Sequence, residues 1–296
     1  MDTASPRVAL LSAASCTHLD TDLPLLLAAL AALGVPAEVA DWHDPERAAA
    51  ADLVVVRSTW DYTDHVEAFL AALADLDRHT TLLNPWPVMA ANLDKRYLLR
   101  LAEAGVPIVP TAVVELGDEP GLPEAVDVVV KPTVSAGARD TERYGSHQRA
   151  AAAAHVRALH DAGRPALVQP YVGGVDHEGE TGLVFLGDEL SHAFRKGPIL
   201  RPGAGFVEGL YREEAISPRV ATAPQRAVAE AVLDAVGAVA PGWSRADLLY
   251  ARVDLVPGPE GPVLMELELV EPSLFLETDP GSPARAAAAI ASRLGR

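Results

Sequence analysis

Glu266 and Glu268 stand two residues apart in the stretch GPVLMELELVEPS (residues 261–273). A pleated strand turns such residues to the same side. Upstream, ARVDLV (251–256) supplies a second strand with Asp254 in it. Paired across PGPEGP (257–262) with Asp254 opposite Glu266, the two strands gather Arg252, Asp254, Glu266 and Glu268 on one face. The other face takes Val253, Leu255, Val263, Met265, Leu267 and Leu269. A slip of one residue would mix the sets, so the apolar pattern selects this register. Like charges side by side are destabilising, and three carboxylates ask for a cation between them. Oxygen donors with few histidines nearby suit Mg²⁺ better than zinc or copper, and Mg²⁺ commonly shares its shell with substrate phosphates. The alternative is a solvated outer face with Arg252 as counter-ion.

The basic residues point the same way. Of 24 Lys and Arg only three are lysines: Lys95, Lys131 and Lys196. Lysine is a compact, mobile point charge where arginine is a planar fork. Each of the three falls at the end of an expected element. Lys131 also precedes the small-residue loop Ser135-Ala136-Gly137-Ala138, whose backbone N–H groups can approach phosphate oxygens. Beside a Mg²⁺ site this favours a nucleoside triphosphate over three unrelated surface charges.

The elements that hold these residues divide the chain. Its 296 residues suit two or three modest domains. With 49% hydrophobic and 22% charged residues it is globular rather than disordered. Residues 7–85 alternate strand and helix, which predicts an open parallel sheet with helices on both faces. Ligands meet such sheets at the carboxyl ends of the strands, here SCTHLDTD (15–22) and RSTWDY (57–62). No G-x-G-x-x-G follows the first strand, which disfavours a dinucleotide site. Beyond residue 105 strands come in clusters, an α+β pattern. NLDKRYLLRLAEAG (92–105) reads as one helix, VDVVVKP as a strand with a loop after it, TGLVFLGDELSHAFRK (181–196) as a hairpin turning at Gly187-Asp188, and residues 197–218 as a long functional loop.

A formal charge of −17 makes nucleic acid an improbable partner. The longest uncharged apolar stretch, 23–37, is interrupted by Gly34 and Pro36 and does not span a bilayer. The single cysteine, Cys16, excludes an internal disulfide framework and fits a reducing, cytoplasmic setting. A homodimer stays open.

In this order, DKRYL, VVVKP with its small-residue loop, VQPYV, a hairpin ending in RK, and ARVDL…LMELELVEPS resemble the ATP-grasp carboxylate–amine ligases, such as glutathione synthetase. The resemblance covers about residues 88–275. It implies an ATP-grasp fold: an N-terminal α/β domain (1–88), a central α+β subdomain (89–170) and a C-terminal one carrying the metal site (171–296). It implies that Lys95 and Lys131, with Ser135 and Gly137, hold the ATP phosphates. Gln169, Tyr171 and Val172 would read adenine, and Glu180 or Asp176 would take the ribose. Asp254, Glu266 and Glu268 would bind two Mg²⁺ ions, Glu268 standing where the family often has Asn. Lys196, Arg201, Arg212 and Arg252 would face the γ-phosphate and an acyl phosphate. Within the family, RSTWDY, LNP, DKRYL and ELELVEPSLFL most resemble the cyclo-ligases that close O-ureido-D-serine to D-cycloserine. That implies a small amino-acid substrate at the N-terminal strand ends, with His18, Asp20, Arg57 and Trp60 as its contacts. An intermolecular amino-acid or peptide ligase and a non-catalytic nucleotide-binding protein are the alternatives.

Overall fold

The computed structural model describes residues 7–200 and 215–294. Strands β1 (Val8–Ser12), β2 (Ala37–Asp41), β3 (Leu53–Val56) and β4 (Thr81–Leu83) form a parallel sheet in the order β2-β1-β3-β4. Both faces are covered. Val8 and Leu10 pack on Leu23, Leu26 and Leu30 of helix Asp22–Ala32, and Ala9 and Leu11 pack on Phe69, Leu73 and Leu76 of helix Val66–His79. A doubly covered strand needs apolar residues on both sides, which is why these strands show little alternation.

The second sheet is antiparallel: β5 (Ala112–Val114), β6 (Val128–Pro132), β7 (Glu142–Tyr144) and β8 (Ala166–Pro170), in the order β5-β8-β6-β7. Helix Arg149–Asp161 seats Ala152, Val156 and Leu159 against Val128 and Val130. The third sheet, also antiparallel, runs β11-β10-β9-β12-β13, with β9 Glu180–Leu186, β10 Glu189–Lys196, β11 Ile216–Arg219, β12 Tyr250–Gly258 and β13 Gly261–Glu268. Gly187 takes the left-handed φ of 60° in the expected β9–β10 turn. Helix Ala223–Asp234 covers one face of this sheet with Ala229, Val232 and Leu233. The final helix, Ser282–Ala291, returns to the first unit and packs beside Asp22–Ala32. The α/β and α+β classes read from the sequence are those of the structure.

Four local expectations are corrected. The helix expected over 92–105 is two, Trp86–Asn92 and Tyr97–Glu103. The ladder breaks because the Lys95 amide donates to the Thr133 carbonyl (2.8 Å) instead. Residues 216–218 of the expected loop belong to strand β11, paired with β10. The loop after Lys131 likewise contains β7. Finally, Asp254 does face Glu266, but a β-bulge follows: Leu255 pairs with Leu264, leaving Met265 without a partner. From there toward the turn the alternation reverses. Leu264 joins Leu255 and Leu267 in the core, while Val263 and Met265 turn to the opposite face with Tyr171 and Val172.

Among the described residues no helix is long and apolar enough to cross a membrane.

Candidate active site

A cavity of about 470 Å³ lies where the three sheets meet. Strand alternation aims its walls. On β6, Val128 and Val130 enter the core, so Val129 and Lys131 line the cavity. On β13, Glu266 and Glu268 line it, with Met265 brought round by the bulge. The Ser135–Ala138 loop, the Gln169–Val172 segment, Glu180 and Lys196 complete this side. Trp60, which follows β3, and the stretch after β13, with Glu271 and Ser273, close the other.

The charges are interleaved and largely buried. Lys196 Nζ is 2.7 Å from Asp254 Oδ2, which also accepts from Arg252 at 2.9 Å. Arg252 pairs with Glu268 as well and donates to the Ser273 carbonyl at 2.9 Å. Lys95 Nζ donates to the Ser135 carbonyl (2.6 Å) and lies 3.1 Å from Glu266. Asp254 is 1% exposed, so this is no solvated outer face. Burial alone would raise its pKa, but Arg252 and Lys196 bring it below the ordinary value. Lys95 and Lys131 do the same for Glu266 against the same burial effect. Glu268 is pushed up to about 8 by burial, which Glu266 and Asp254 reinforce and Arg252 opposes. Burial lowers the Lys131 pKa, and Lys95 and Lys196 add to it. Among the described residues Lys131 forms no ion pair.

Among the described residues no three His, Cys, Asp or Glu side chains converge into a metal cage. The residues present nonetheless fit Mg²⁺. Its usual protein share is one or two carboxylates, the rest of the shell being water and substrate phosphate. Glu266 and Glu268 offer oxygen donors of that kind on the cavity wall.

Several expected site residues lie elsewhere. Asp176 accepts from the Tyr171 hydroxyl (2.6 Å) and pairs with Arg143 (3.3 Å), away from the cavity that Glu180 lines. Of the four expected substrate contacts only Trp60 lines the cavity. His18 is exposed. Asp20 caps helix Asp22–Ala32 by accepting from the Asp22 amide at 2.9 Å. Arg57 is 1% exposed and pairs with Asp22 at 3.3 Å. Asp22 in turn accepts from the Leu274 and Leu276 amides (2.6 and 2.7 Å), so the pair anchors the turn after the cavity wall. Arg201 and Arg212 fall outside the described residues. Cys16 is buried and burial pushes its thiol pKa up, as an unreactive cysteine requires. Sequence reasoning missed Glu271, Tyr62 and Asn92. The signal for Glu271 was an acidic residue directly after the apolar Leu269-Val270.

Residues 8–84 match the family model described as the N-terminal domain of D-cycloserine synthetase DcsG. Cycloserine biosynthesis protein DcsG of Streptomyces lavendulae is 39% identical over 299 residues, which cover 97% of this chain and 98% of the relative. The crystal structure of D-cycloserine synthetase DcsG superposes with a TM-score of 0.87 at 37% identity, over 97% of this chain and 99% of that one. A D-alanine–D-alanine ligase of Bacillus anthracis shares the fold alone, with a TM-score of 0.67 at 13% identity over 97% of each chain. With 39% identity over 97% of its length, the chain belongs to the DcsG family of ATP-grasp ligases.

Proposed function

We propose that the protein activates the carboxylate of O-ureido-D-serine with ATP and closes the ring of D-cycloserine. The observation that carries this reading is identity to DcsG along nearly the whole chain. ATP is the nucleotide of ATP-grasp ligases and Mg²⁺ their usual ion. In our reading 1–88 supplies the substrate side, while 89–170 and 171–296 clasp ATP. Lys95, Lys131 and the Ser135–Gly137 loop hold phosphates; Gln169, Tyr171 and Val172 border adenine; Glu180, rather than Asp176, takes the ribose. Glu266 and Glu268, with Asp254, hold two Mg²⁺ ions, which would neutralise phosphate charge. Lys196 exchanges Asp254 for the γ-phosphate, and Arg252, Arg201 and Arg212 face the acyl phosphate.

Phosphoryl transfer of this kind asks for positioning and charge neutralisation more than covalent help. The substrate carboxylate takes the γ-phosphoryl group and ADP leaves. The oxyamino nitrogen of the same molecule then attacks the acyl carbon, and phosphate departs with the bonding electrons. The carbamoyl group on that nitrogen is lost to water as carbamic acid, which gives carbon dioxide and ammonia. Tethering supplies a high effective concentration of the nucleophile, and a closed cavity keeps water from the acyl phosphate.

The test is purified protein with ATP, Mg²⁺ and O-ureido-D-serine and no added amine. Stoichiometric ADP and a cyclised product by mass spectrometry are expected. ADP that appears only after a second amino acid is added identifies an intermolecular ligase instead.

A further inference from the structure

Two stretches that carried the resemblance, RSTWDY and ELELVEPS, meet at Glu271. The Trp60 indole N–H donates to the Glu271 backbone carbonyl at 3.0 Å. The Tyr62 hydroxyl lies close enough to the Glu271 carboxylate to lower its pKa. Tyr62 is 3% exposed and its ring stacks on Phe69 with centroids 4.9 Å apart, so that hydroxyl is fixed. Glu271 thus has its peptide held by Trp60 and its carboxylate beside the Tyr62 hydroxyl, on the wall of the shared cavity.

The other carboxylates there are committed. Glu266 pairs with Lys95, Glu268 with Arg252, and Glu180 lies 3.9 Å from Lys196. Glu271 forms no ion pair among the described residues, and Glu277, which also lines the cavity, is exposed. An α-amino acid brings two opposite charges into this space. Its carboxylate is drawn to the lysines and Arg252; its ammonium is repelled by them and needs an acceptor elsewhere. Burial holds the Glu271 carboxyl up to about 7 although Tyr62, Lys95 and Arg252 pull it down, a condition that an arriving cation in direct contact relieves.

We propose that Glu271 accepts the ammonium of the α-amino acid substrate, with Tyr62 and Trp60 as its positioning residues, and so selects amino acids over the same acids lacking the amine. The assignment rests on the ligase reading above. It also has a chemical consequence: an ion-paired ammonium stays protonated and is no nucleophile, which leaves the oxyamino nitrogen to attack.

The experiment compares ADP release with O-ureido-D-serine and with its desamino analogue, in wild type, E271Q, Y62F and E277Q. Wild type should favour the amino acid in kcat/KM by about 100-fold, the upper scale of leaving one buried polar group without its partner. E271Q should reduce that preference to within about 5-fold by raising KM for the amino acid, with KM for ATP and the rate on the desamino analogue unchanged. Y62F, which keeps the carboxylate but loses its orienting donor, should fall between, and it carries the test if E271Q does not fold. E277Q should match wild type. If E271Q keeps the full preference, Glu271 serves only the Tyr62 hydroxyl and the proposal is overturned while the ligase reading stands. If the preference is lost in E277Q instead, the proposal is equally overturned. If wild type releases no ADP with O-ureido-D-serine, the cyclo-ligase reading fails, and the same comparison on whichever amino acid drives ADP release decides Glu271. If no amino acid does, both fall.

Discussion

Lys131 and Arg252 show how differently two buried cations can be held. Arg252 is enclosed by Asp254, Glu268 and the Ser273 carbonyl. Lys131 is 6% exposed and burial lowers its pKa, a shift that Glu266 and Glu180 oppose and that Lys95 and Lys196 reinforce. A desolvated ammonium that no carboxylate pairs directly is costly unless an anion arrives. Lys131→Ala should therefore weaken ATP binding by about 10- to 100-fold, or roughly 1.4–2.8 kcal/mol, and leave the melting temperature unchanged or higher. Lys131→Arg should not restore affinity, because a planar fork does not replace a compact charge. Calorimetry showing unaltered ATP affinity in Lys131→Ala would remove the phosphate-binding role.

Strand β13 carries Glu266 and Glu268 yet sits at the edge of its sheet. Its outer side is closed by side chains instead of another strand. Asn92 donates to the Leu267 carbonyl (2.9 Å) and accepts from the Leu269 amide (2.8 Å), and the Tyr97 hydroxyl accepts from the Leu267 amide (2.8 Å). Pro107 and Val109 pair with Leu264 further along. These contacts satisfy backbone groups that an open edge would leave exposed, and they fix the strand on which both carboxylates stand. Asn92→Ala strands two buried backbone groups at roughly 1–3 kcal/mol each. Urea unfolding should show a loss of about 2 kcal/mol or more; a loss below about 0.5 kcal/mol would mean water replaces the clamp.

The cavity borrows from all three sheets, so whatever fills it ties the units together. A ligand that binds only the folded protein stabilises it by about 2.7 kcal/mol at a hundredfold excess over Kd. With a non-hydrolysable ATP analogue and Mg²⁺, a chain of this size should melt about 4 °C higher. Removing the metal with a chelator should take away most of that rise, because Glu266 and Glu268 would then face the triphosphate unscreened. An equal rise with and without the metal would remove those two residues as Mg²⁺ ligands.

The parallel sheet, the second hairpin with Asp254 opposite Glu266, and the three lysines around one site were legible in the sequence, because periodicity and charge spacing are local properties. The bulge at Met265 was not: one extra residue reverses every face beyond it, and no local pattern marks where a strand will give way. Nor was the partner of each charge. Asp254 with Lys196, Asp22 with Arg57 and Trp60 with the Glu271 carbonyl join residues far apart in the chain, and nothing in either stretch alone names its counterpart. Arg57 shows the consequence. As a loop cation it resembles a substrate contact; packed under the Leu274–Leu276 turn it is an anchor. Residue types set which chemistry was available, and the packing of three sheets around one cavity set which side chains reach it, since burial and partner choice arise only when distant segments share a volume.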